Sequence, residues 1–283
     1  MIYATRSVKG QAREDNRDCA GAVFDGVRGL FVIVDGTSKP GSGQLAQGFV
    51  QGLIDTYQLR VGQGVGDDTH DLAAQLIRSV LVDMHAPLFV EWSGSTSYLV
   101  AVVVNGLLTI AYEGDCGCGV VNAEGRIDWI TSPHCLANWK RDRSHRELAC
   151  DPARHRITRS YKAGRAPEPE IVVRSAVVGE RFVFATDGFW GEMSEVRQAE
   201  ALKSPEITIT DLEDDVTWID VQIWGQIYFL LIPIFSSVTD VLRWWKTQRS
   251  LRDADGESAM SCRSVSMLPA SYARADYRYG KST

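Results

Sequence analysis

The sequence predicts an α+β sandwich in which antiparallel strands outnumber the helices. Two segments, near residues 44–57 and 69–88, carry apolar residues at helical spacing. After residue 94 the pattern changes to short strand-like runs separated by tight turns. The helices are grouped together instead of alternating with the strands. This order favours an α+β sandwich over a doubly wound parallel sheet.

The first half of the chain is predicted to form a buried strand followed by two helices. Residues 30–34 are β-branched, aromatic or leucine and stop at Asp35-Gly36, which is typical of a buried strand that ends in a turn. The second helix has Thr69 just before it as a capping candidate. One face of the first helix consists of Leu45, Phe49, Val50, Leu53, Ile54 and Tyr57.

The second half is predicted to consist mainly of strands. The dipeptides Asn105-Gly106 and Glu124-Gly125 favour hairpin turns, so the strands around them are expected to form an antiparallel meander. These strands are 96–105, 107–113, 119–122 and 127–130. The remaining predicted elements are a strand pair at 170–175 and 181–185, a short helix at 195–203 capped by Ser194, and a last strand at 216–223.

Between these elements, residues 132–168 are polar and rich in arginine. The composition predicts an exposed loop region around one short strand at 156–160. Its basic side chains either recognise acidic or phosphorylated partners or are simply solvated, and we prefer the second interpretation.

Charge and cysteine content narrow the class of protein. The 283 residues include 30 Lys+Arg and 36 Asp+Glu, and the net charge of −6 argues against a nucleic-acid partner. Six irregularly spaced cysteines and a start without an apolar segment predict a cytoplasmic protein with free thiols. The pair Cys116 and Cys118, with His134 and Cys135 nearby, lacks the spacing of a zinc site, so we interpret these cysteines as small buried residues.

Aspartates recur where predicted strands begin or end. They are Asp18, Asp35, Asp115, Asp187 and Asp214. Strand ends are rigid, so carboxylates placed there can be held close together. Converging carboxylates repel one another unless a cation lies between them, and hard oxygen ligands suit Mg²⁺ or Mn²⁺. Any one of these aspartates taken alone is better explained as part of a turn.

Six short motifs follow one another between residues 10 and 223. They are Gly10-x-x-Arg13-x-x-Asn16-x-Asp18, Val34-Asp35-Gly36, Gly94-Ser95-Thr96, Glu113-Gly114-Asp115-Cys116, Ala185-Thr186-Asp187-Gly188-Phe189-Trp190 and Asp214-Asp215-Val216-Thr217. In this order they resemble the motifs of bacterial metal-dependent protein serine/threonine phosphatases of type 2C, the PPM family. Residues 1–223 are therefore expected to form a type 2C-like domain.

The resemblance implies a four-layer αββα sandwich of two antiparallel sheets flanked by helix pairs. It also implies an enzyme that hydrolyses phosphoserine and phosphothreonine by attack of a water bound to two Mn²⁺ or Mg²⁺ ions. The substrate would be a phosphorylated protein, either a serine/threonine kinase or the target of one.

The same resemblance implies a role for individual residues. Asp35 would bridge both ions, and Asp35 and Arg13 would be catalytic, with Arg13 binding the substrate phosphate. The other implied metal ligands are the Gly36 carbonyl, Asp187 and Asp214, with Asp18 holding metal-bound water and Asp115 helping a weaker third site.

The sequence departs from the family pattern at three places. Arg17 stands where many relatives have Glu or Gln, Pro133 stands where they often have Asp, and no histidine follows Asp35-Gly36 in residues 37–43. Lys39 is a candidate to assist the leaving group, although a solvated loop lysine is the default interpretation. These departures support an alternative function, a weak or inactive pseudophosphatase that binds a phosphoprotein or a kinase.

The resemblance ends near Ile223 and leaves a C-terminal extension, 224–283. An uncharged stretch, 221–239, is followed by Arg243, Lys246, Arg249 and Arg252. We expect a helix that packs on the sandwich or on a partner, then a flexible tail from 253. Association with a membrane surface through 224–252 is the alternative, but Pro233 interrupts the apolar part.

Overall fold

The computed structural model describes residues 1–204 and 211–224. Its strands, in chain order, are β1 (Ile2–Val8), β2 (Asp18–Phe24), β3 (Gly29–Gly36), β4 (Ser95–Val104), β5 (Leu107–Glu113), β6 (Gly117–Val121), β7 (Ile127–Trp129), β8 (Tyr161–Lys162), β9 (Glu170–Ser175), β10 (Arg181–Ala185) and β11 (Val216–Gln222). Its helices are α1 (Ser42–Gly62), α2 (His70–Glu91), α3 (His145–Ala149) and α4 (Glu195–Lys203), with short 3₁₀ turns at Leu136–Asn138 and Pro152–His155 and a π turn at Gly188–Glu192.

Two antiparallel sheets pack face to face and confirm the α+β sandwich. Within the described ranges, one sheet has the order β1-β11-β10-β6-β7 and the other the order β2-β3-β4-β5-β9, with β8 paired to β4. Alternate side chains of each strand point into the space between the sheets. There the rings of Phe31 and Phe184, one from each sheet, stack with their centroids 5.6 Å apart.

Helices cover the outer faces of both sheets. The pair α1 and α2 packs on the second sheet, where Phe49 lies 5.0 Å from Tyr98 between ring centroids. On the first sheet, the outer layer in the part of the chain that the structure describes consists of α4 and the π turn, which share a cluster with Val183 and Trp218. The predicted caps are present, since Thr69 accepts from the amide of Leu72 and Ser194 from that of Arg197.

Two predicted strand pairings are wrong because the chain changes sheets between the strands. β5 pairs with β4 and β9, whereas β6 pairs with β10 and β7, so the predicted meander is really two hairpins in different sheets. Likewise β9 and β10 are not partners. Local sequence patterns identify strands but carry little information about which sheet each strand joins.

The segment 132–168 also differs from its prediction. No strand forms at 156–160; β8 follows at Tyr161–Lys162, and Ile157 makes one isolated bridge to Cys135. Several of its side chains are buried, including Arg154, which is 5% exposed. β1 was not predicted, because its residues are mostly exposed and lack the alternation of a buried strand.

Other features of the sequence are placed by the structure. Cys116, Cys118 and Cys135 are buried free thiols, as predicted. The prediction is wrong for Cys19, which takes part in a disulfide, because pairing between distant cysteines leaves no local sequence pattern. None of the helices in residues 1–204 and 211–224 is long and apolar enough to cross a membrane. Apart from Trp224, the C-terminal extension lies outside the described residues, so its predicted helix and tail stay predictions.

The ring stack between the sheets should contribute to the free energy of unfolding of the sandwich. Phe31 is fully buried, so Phe31→Ala leaves a cavity and should lower the free energy of unfolding by about 3–5 kcal/mol. Urea denaturation measures this loss. Val173→Ala is the control, because Val173 is 49% exposed and its truncation should change stability very little. A loss for Phe31→Ala no larger than that of the control would contradict the prediction.

Candidate metal centre

Three carboxylates converge at one end of the sandwich. Asp35 is the second-last residue of β3, Asp115 follows β5 and Asp187 follows β10, and one oxygen of each lies within 4.8 Å of the others. Asp35 therefore comes from one sheet and Asp187 from the other, with Asp115 where the chain crosses between them. The set joins residues that are up to 152 positions apart in the chain, which only the packing of the sheets can do.

The register of the strands places further groups beside these three. Asp18 is the direct cross-strand partner of Asp35. Its Oδ2 accepts a 2.8 Å hydrogen bond from the hydroxyl of Thr186, so it also links the two sheets. Gly36 lies in close contact with two carbonyl groups. A Cβ atom there would lie 2.8 Å from the Ser42 oxygen and 2.9 Å from the Arg17 oxygen.

The carboxylates strongly disfavour one another's charge. Burial raises the pKa of Asp35, and the charges of Asp187, Asp18, Asp115 and Asp214 raise it further. Burial and Asp187 raise the pKa of Asp115 to about 8. Such groups need protons or a cation to be stable in the folded chain.

The donor set fits a divalent metal ion. Asp115 Oδ1 is buried and has no hydrogen-bond partner in the part of the chain that the structure describes. An unpartnered carboxylate oxygen is costly unless it binds a cation or a proton. Three converging carboxylates are hard ligands, which Mg²⁺ and Mn²⁺ prefer.

A buried arginine already neutralises part of this charge. Arg154 Nη1 lies 2.8 Å from Asp187 Oδ2, and the Arg154 side chain is only 6% exposed. Its guanidinium lies 5.7 Å from the centroid of the Trp190 ring. The Trp190 indole in turn donates to the Asp115 carbonyl at 2.9 Å. The sequence predicts Arg154 to be an exposed basic residue of the segment 132–168. The composition of that segment contains no signal for a contact with Asp187.

A second arginine pair holds Asp214 beside the three carboxylates. Arg13 Nε and Nη2 lie 2.7 and 2.6 Å from Asp214 Oδ1. Asp214 is 19% exposed and does not belong to the group of three oxygens described above. The structure thus brings Asp35, Asp115 and Asp187 together and places Asp214 against Arg13, the residue that the resemblance assigns to the substrate phosphate.

Asp215 has a structural role that the sequence analysis missed. Its two oxygens accept from the amides of Gly10 and Arg17, at 2.9 and 2.8 Å. These bonds fix both ends of the loop that carries Arg13. The adjacent pair Asp214-Asp215 could have indicated this role in the sequence. A buried second carboxylate next to a candidate ligand must have hydrogen-bond partners.

Two residues discussed as departures from the family pattern, Arg17 and Lys39, can be located in the structure. The Arg17 side chain pairs with Asp15, with Nε 3.1 Å from Oδ1. Lys39 is exposed in the turn before α1. The Arg17 ion pair is therefore with a neighbouring loop residue and not with the three converging aspartates.

Comparison with known proteins supports the resemblance. No protein-family model matches the sequence. The serine/threonine protein phosphatase PstP of Mycobacterium tuberculosis is 27% identical over 216 residues, which cover 73% of this chain and 40% of that protein. The chain thus spans well under half the length of this curated relative.

Solved structures show the same fold. The catalytic domain of PstP in complex with two manganese ions has 20% identity and a TM-score of 0.58, covering 79% of this chain and 98% of that chain. Stp1 from Staphylococcus aureus has 18% identity and a TM-score of 0.61, covering 79% and 95%. These likenesses confirm the two-sheet sandwich fold.

The raised carboxylate pKa values predict how stability depends on pH. The pKa of Asp115 rises from 3.8 to about 8 on folding, so its contribution is complete in acid and is lost as the pH rises through about 8. The metal-free chain should therefore melt at a lower temperature at about pH 8 than at about pH 5, and Mn²⁺ should reverse the loss. Thermal unfolding with EDTA and with Mn²⁺ tests both effects. A metal-free melting temperature that rises over this range would contradict the assignment.

The Arg154–Asp187 pair predicts a stability effect that a metal ion compensates. Arg154→Gln leaves the buried Asp187 without its partner and should cost about 3–5 kcal/mol in EDTA. The loss should be smaller with Mn²⁺, which supplies the missing positive charge. Urea denaturation in both conditions measures the difference.

The control for this experiment is Arg143→Gln. Arg143 pairs with Asp151 in the same segment, at 2.6 Å, but both side chains are about one-third exposed. Its substitution should have a much smaller effect that Mn²⁺ does not change. Equal losses for Arg154→Gln with and without Mn²⁺ would show that Arg154 acts only through its packing on Trp190.

Proposed function

We propose that this chain, which has the fold and the motifs of the bacterial type 2C phosphatases, hydrolyses phosphoserine and phosphothreonine in proteins with the help of Mn²⁺ or Mg²⁺. The observation that supports this most directly is the convergence of Asp35, Asp115 and Asp187 from both sheets. The unpartnered Asp115 Oδ1 adds a buried ligand atom suited to a cation.

Several residues would hold the metal ions. Asp35 would be the central ligand, because it is the cross-strand partner of Asp18 and one of its oxygens lies within 4.8 Å of oxygens of Asp115 and Asp187. The others are the Gly36 carbonyl, Asp18, Asp115, Asp187 and Asp214. Divalent ions bound here would lower the pKa of bound water and neutralise the phosphoryl oxygens of the substrate.

Arg13 would orient the phosphate. It is 28% exposed, and its bonds to Asp214 use Nε and Nη2. Its Nη1 donates one long hydrogen bond of 3.5 Å to the exposed Ser38 hydroxyl, and the second hydrogen of this nitrogen would be available to a ligand. A guanidinium held by a carboxylate on one side is well placed to donate to a phosphate on the other.

The substrate class and location follow from this reaction. The phosphorylated protein would be a serine/threonine kinase or a target of one. We place the reaction in the cytoplasm, where such kinases obtain ATP. Nucleic acid is not expected to bind, because the chain carries a net charge of −6. Contact with a membrane surface through 224–252 is the less favoured arrangement.

One observation favours a second candidate function, that of a pseudophosphatase. Asp187 and Asp214, two of the proposed ligands, are already paired with Arg154 and Arg13. These pairs would compete with a metal ion for the carboxylates. Calorimetric titration separates the candidates, because uptake of two divalent ions favours the enzyme and uptake of none favours a phosphoprotein-binding module.

The enzyme is tested by replacing one metal ligand. Asp187→Asn should lower Mn²⁺-dependent hydrolysis of a phosphothreonine peptide at least about 100-fold, because the amide is a neutral and weaker ligand. Asp211→Asn is the matched control, since Asp211 is exposed and pairs only with Arg197 in the described residues. Wild-type hydrolysis that is equally fast in EDTA, or full activity of Asp187→Asn, would contradict the proposal.

A further inference from the structure

His134 is a buried histidine that the proposed function does not use. It is 4% exposed and lies between β7 and the 3₁₀ turn at Leu136–Asn138. Its backbone amide donates to the Gly114 carbonyl at 2.8 Å. The Gly114 amide donates to His134 Nδ1 at 3.1 Å. One residue therefore binds both backbone polar groups of Gly114.

Gly114 directs the chain into the metal centre. It connects Glu113, the last residue of β5, to Asp115 and has a φ of 101°, which favours glycine. A Cβ atom at this position would collide with Ser97. Position 114 therefore requires glycine, which has a flexible backbone. The orientation of its peptide groups then depends on the hydrogen bonds that they make.

Asp115 depends on this peptide for its own direction. Its Oδ1 has no hydrogen-bond partner in residues 1–204 and 211–224. Because that oxygen does not hold the side chain, the adjoining backbone contributes to its direction toward Asp35 and Asp187. The partners of Gly114 thus help to decide whether the three carboxylates converge.

The histidine is itself held in one tautomer. Because Nδ1 accepts from Gly114, the ring proton is on Nε2, which donates to Glu170 Oε2 at 3.1 Å. Arg141 and the Tyr112 hydroxyl bind Glu170 at distances of 2.7 to 2.8 Å. The Tyr112 ring stacks on the imidazole with centroids 5.0 Å apart.

The surroundings keep the imidazole neutral. Burial and the charges of Arg141 and Arg159 lower the pKa of His134 to about 4. Arg159 Nη1 lies 3.2 Å from Nε2 but cannot donate to it in this tautomer, and Arg159 pairs with Glu113 and Glu170 instead. Nδ1 is therefore available as an acceptor for Gly114 at neutral pH.

We propose that His134 is a positioning residue for the metal centre: Glu170 orients its neutral ring, Nδ1 holds the Gly114 peptide, and that peptide aims Asp115 at Asp35 and Asp187. The inference rests on the proposed metal-dependent function. It assigns to His134 a role in metal affinity that a histidine buried only for packing would not have. Hydrogen-bond partners that orient metal ligands typically change the affinity for the metal by about 10-fold to 100-fold.

Two substitutions distinguish the contact of Nδ1 with Gly114 from the contact of Nε2 with Glu170. In His134→Asn the side-chain oxygen can take the place of Nδ1 and accept from Gly114, but the contact with Glu170 is lost. In His134→Gln the longer amide can still reach Glu170, but no acceptor remains near Gly114. Both variants lose the ring and its stacking on Tyr112, so a purely structural role predicts similar effects for the two.

Mn²⁺ titration of the full chain by calorimetry tests the inference. His134→Gln should weaken Mn²⁺ binding at least about tenfold, whereas His134→Asn should stay within about threefold of the wild type. The Mn²⁺ concentration for half-maximal phosphopeptide hydrolysis should shift in parallel. His85→Gln is the control, because His85 contacts the Lys162 carbonyl and Phe89 and no residue of the metal centre in the described residues. Equal Mn²⁺ affinities of His134→Gln and His134→Asn would overturn the inference.

Amide hydrogen exchange of the metal-free chain provides a readout that does not require metal. The peptide that contains Gly114 should exchange faster in His134→Gln than in His134→Asn, and unchanged exchange would overturn the positioning role. A wild-type chain that binds no Mn²⁺ and hydrolyses no phosphopeptide would instead overturn the proposed function. Hydrogen exchange would still decide the contact between His134 and Gly114 in that case, so the two failures are distinguishable.

Discussion

Aspartates at one end of the sandwich repel one another, and the packing around them has to hold them together against this repulsion. Asp35 experiences the charges of Asp18, Asp115, Asp187 and Asp214, and burial adds to the cost of its own charge. Such a group stays together only if the backbone that carries it is rigid and if positive charge balances it. The packed core between the sheets supplies the rigidity, and protons, arginines or metal ions supply the balance.

The arginine-rich segment 132–168 is shaped by the same constraint. Arg154 reaches Asp187, and Arg165 lies 2.7 Å from the buried Glu113, which also accepts from the Tyr98 hydroxyl. Arg154 and Arg165 are therefore partners of buried acids and not solvated side chains. A histidine with a lowered pKa fits this setting, because positive charge and burial around His134 both favour its neutral form.

Much of the fold could be predicted from local sequence because the signals for it are local. The apolar spacing of α1, the capping threonine of α2 and the Asn105-Gly106 turn all act within a few residues. The five aspartates could be predicted as a group, because strand ends and family motifs mark them one by one. The partners of Arg154 and Asp215 could not, since an ion pair between distant residues leaves no pattern in the neighbouring sequence.

Local sequence patterns are enough to predict the type of element at most positions, the α+β class and the aspartates that are candidates for metal binding. Packing of the chain decides which strands share a sheet, as the separation of β5 from β6 shows. It also decides that Asp35, Asp115 and Asp187 converge while Asp214 pairs with Arg13, and that His134 binds the peptide before Asp115. Periodicity and turn propensity act between neighbours in the chain, whereas electrostatic balance and sheet pairing depend on distances that exist only after the chain has packed.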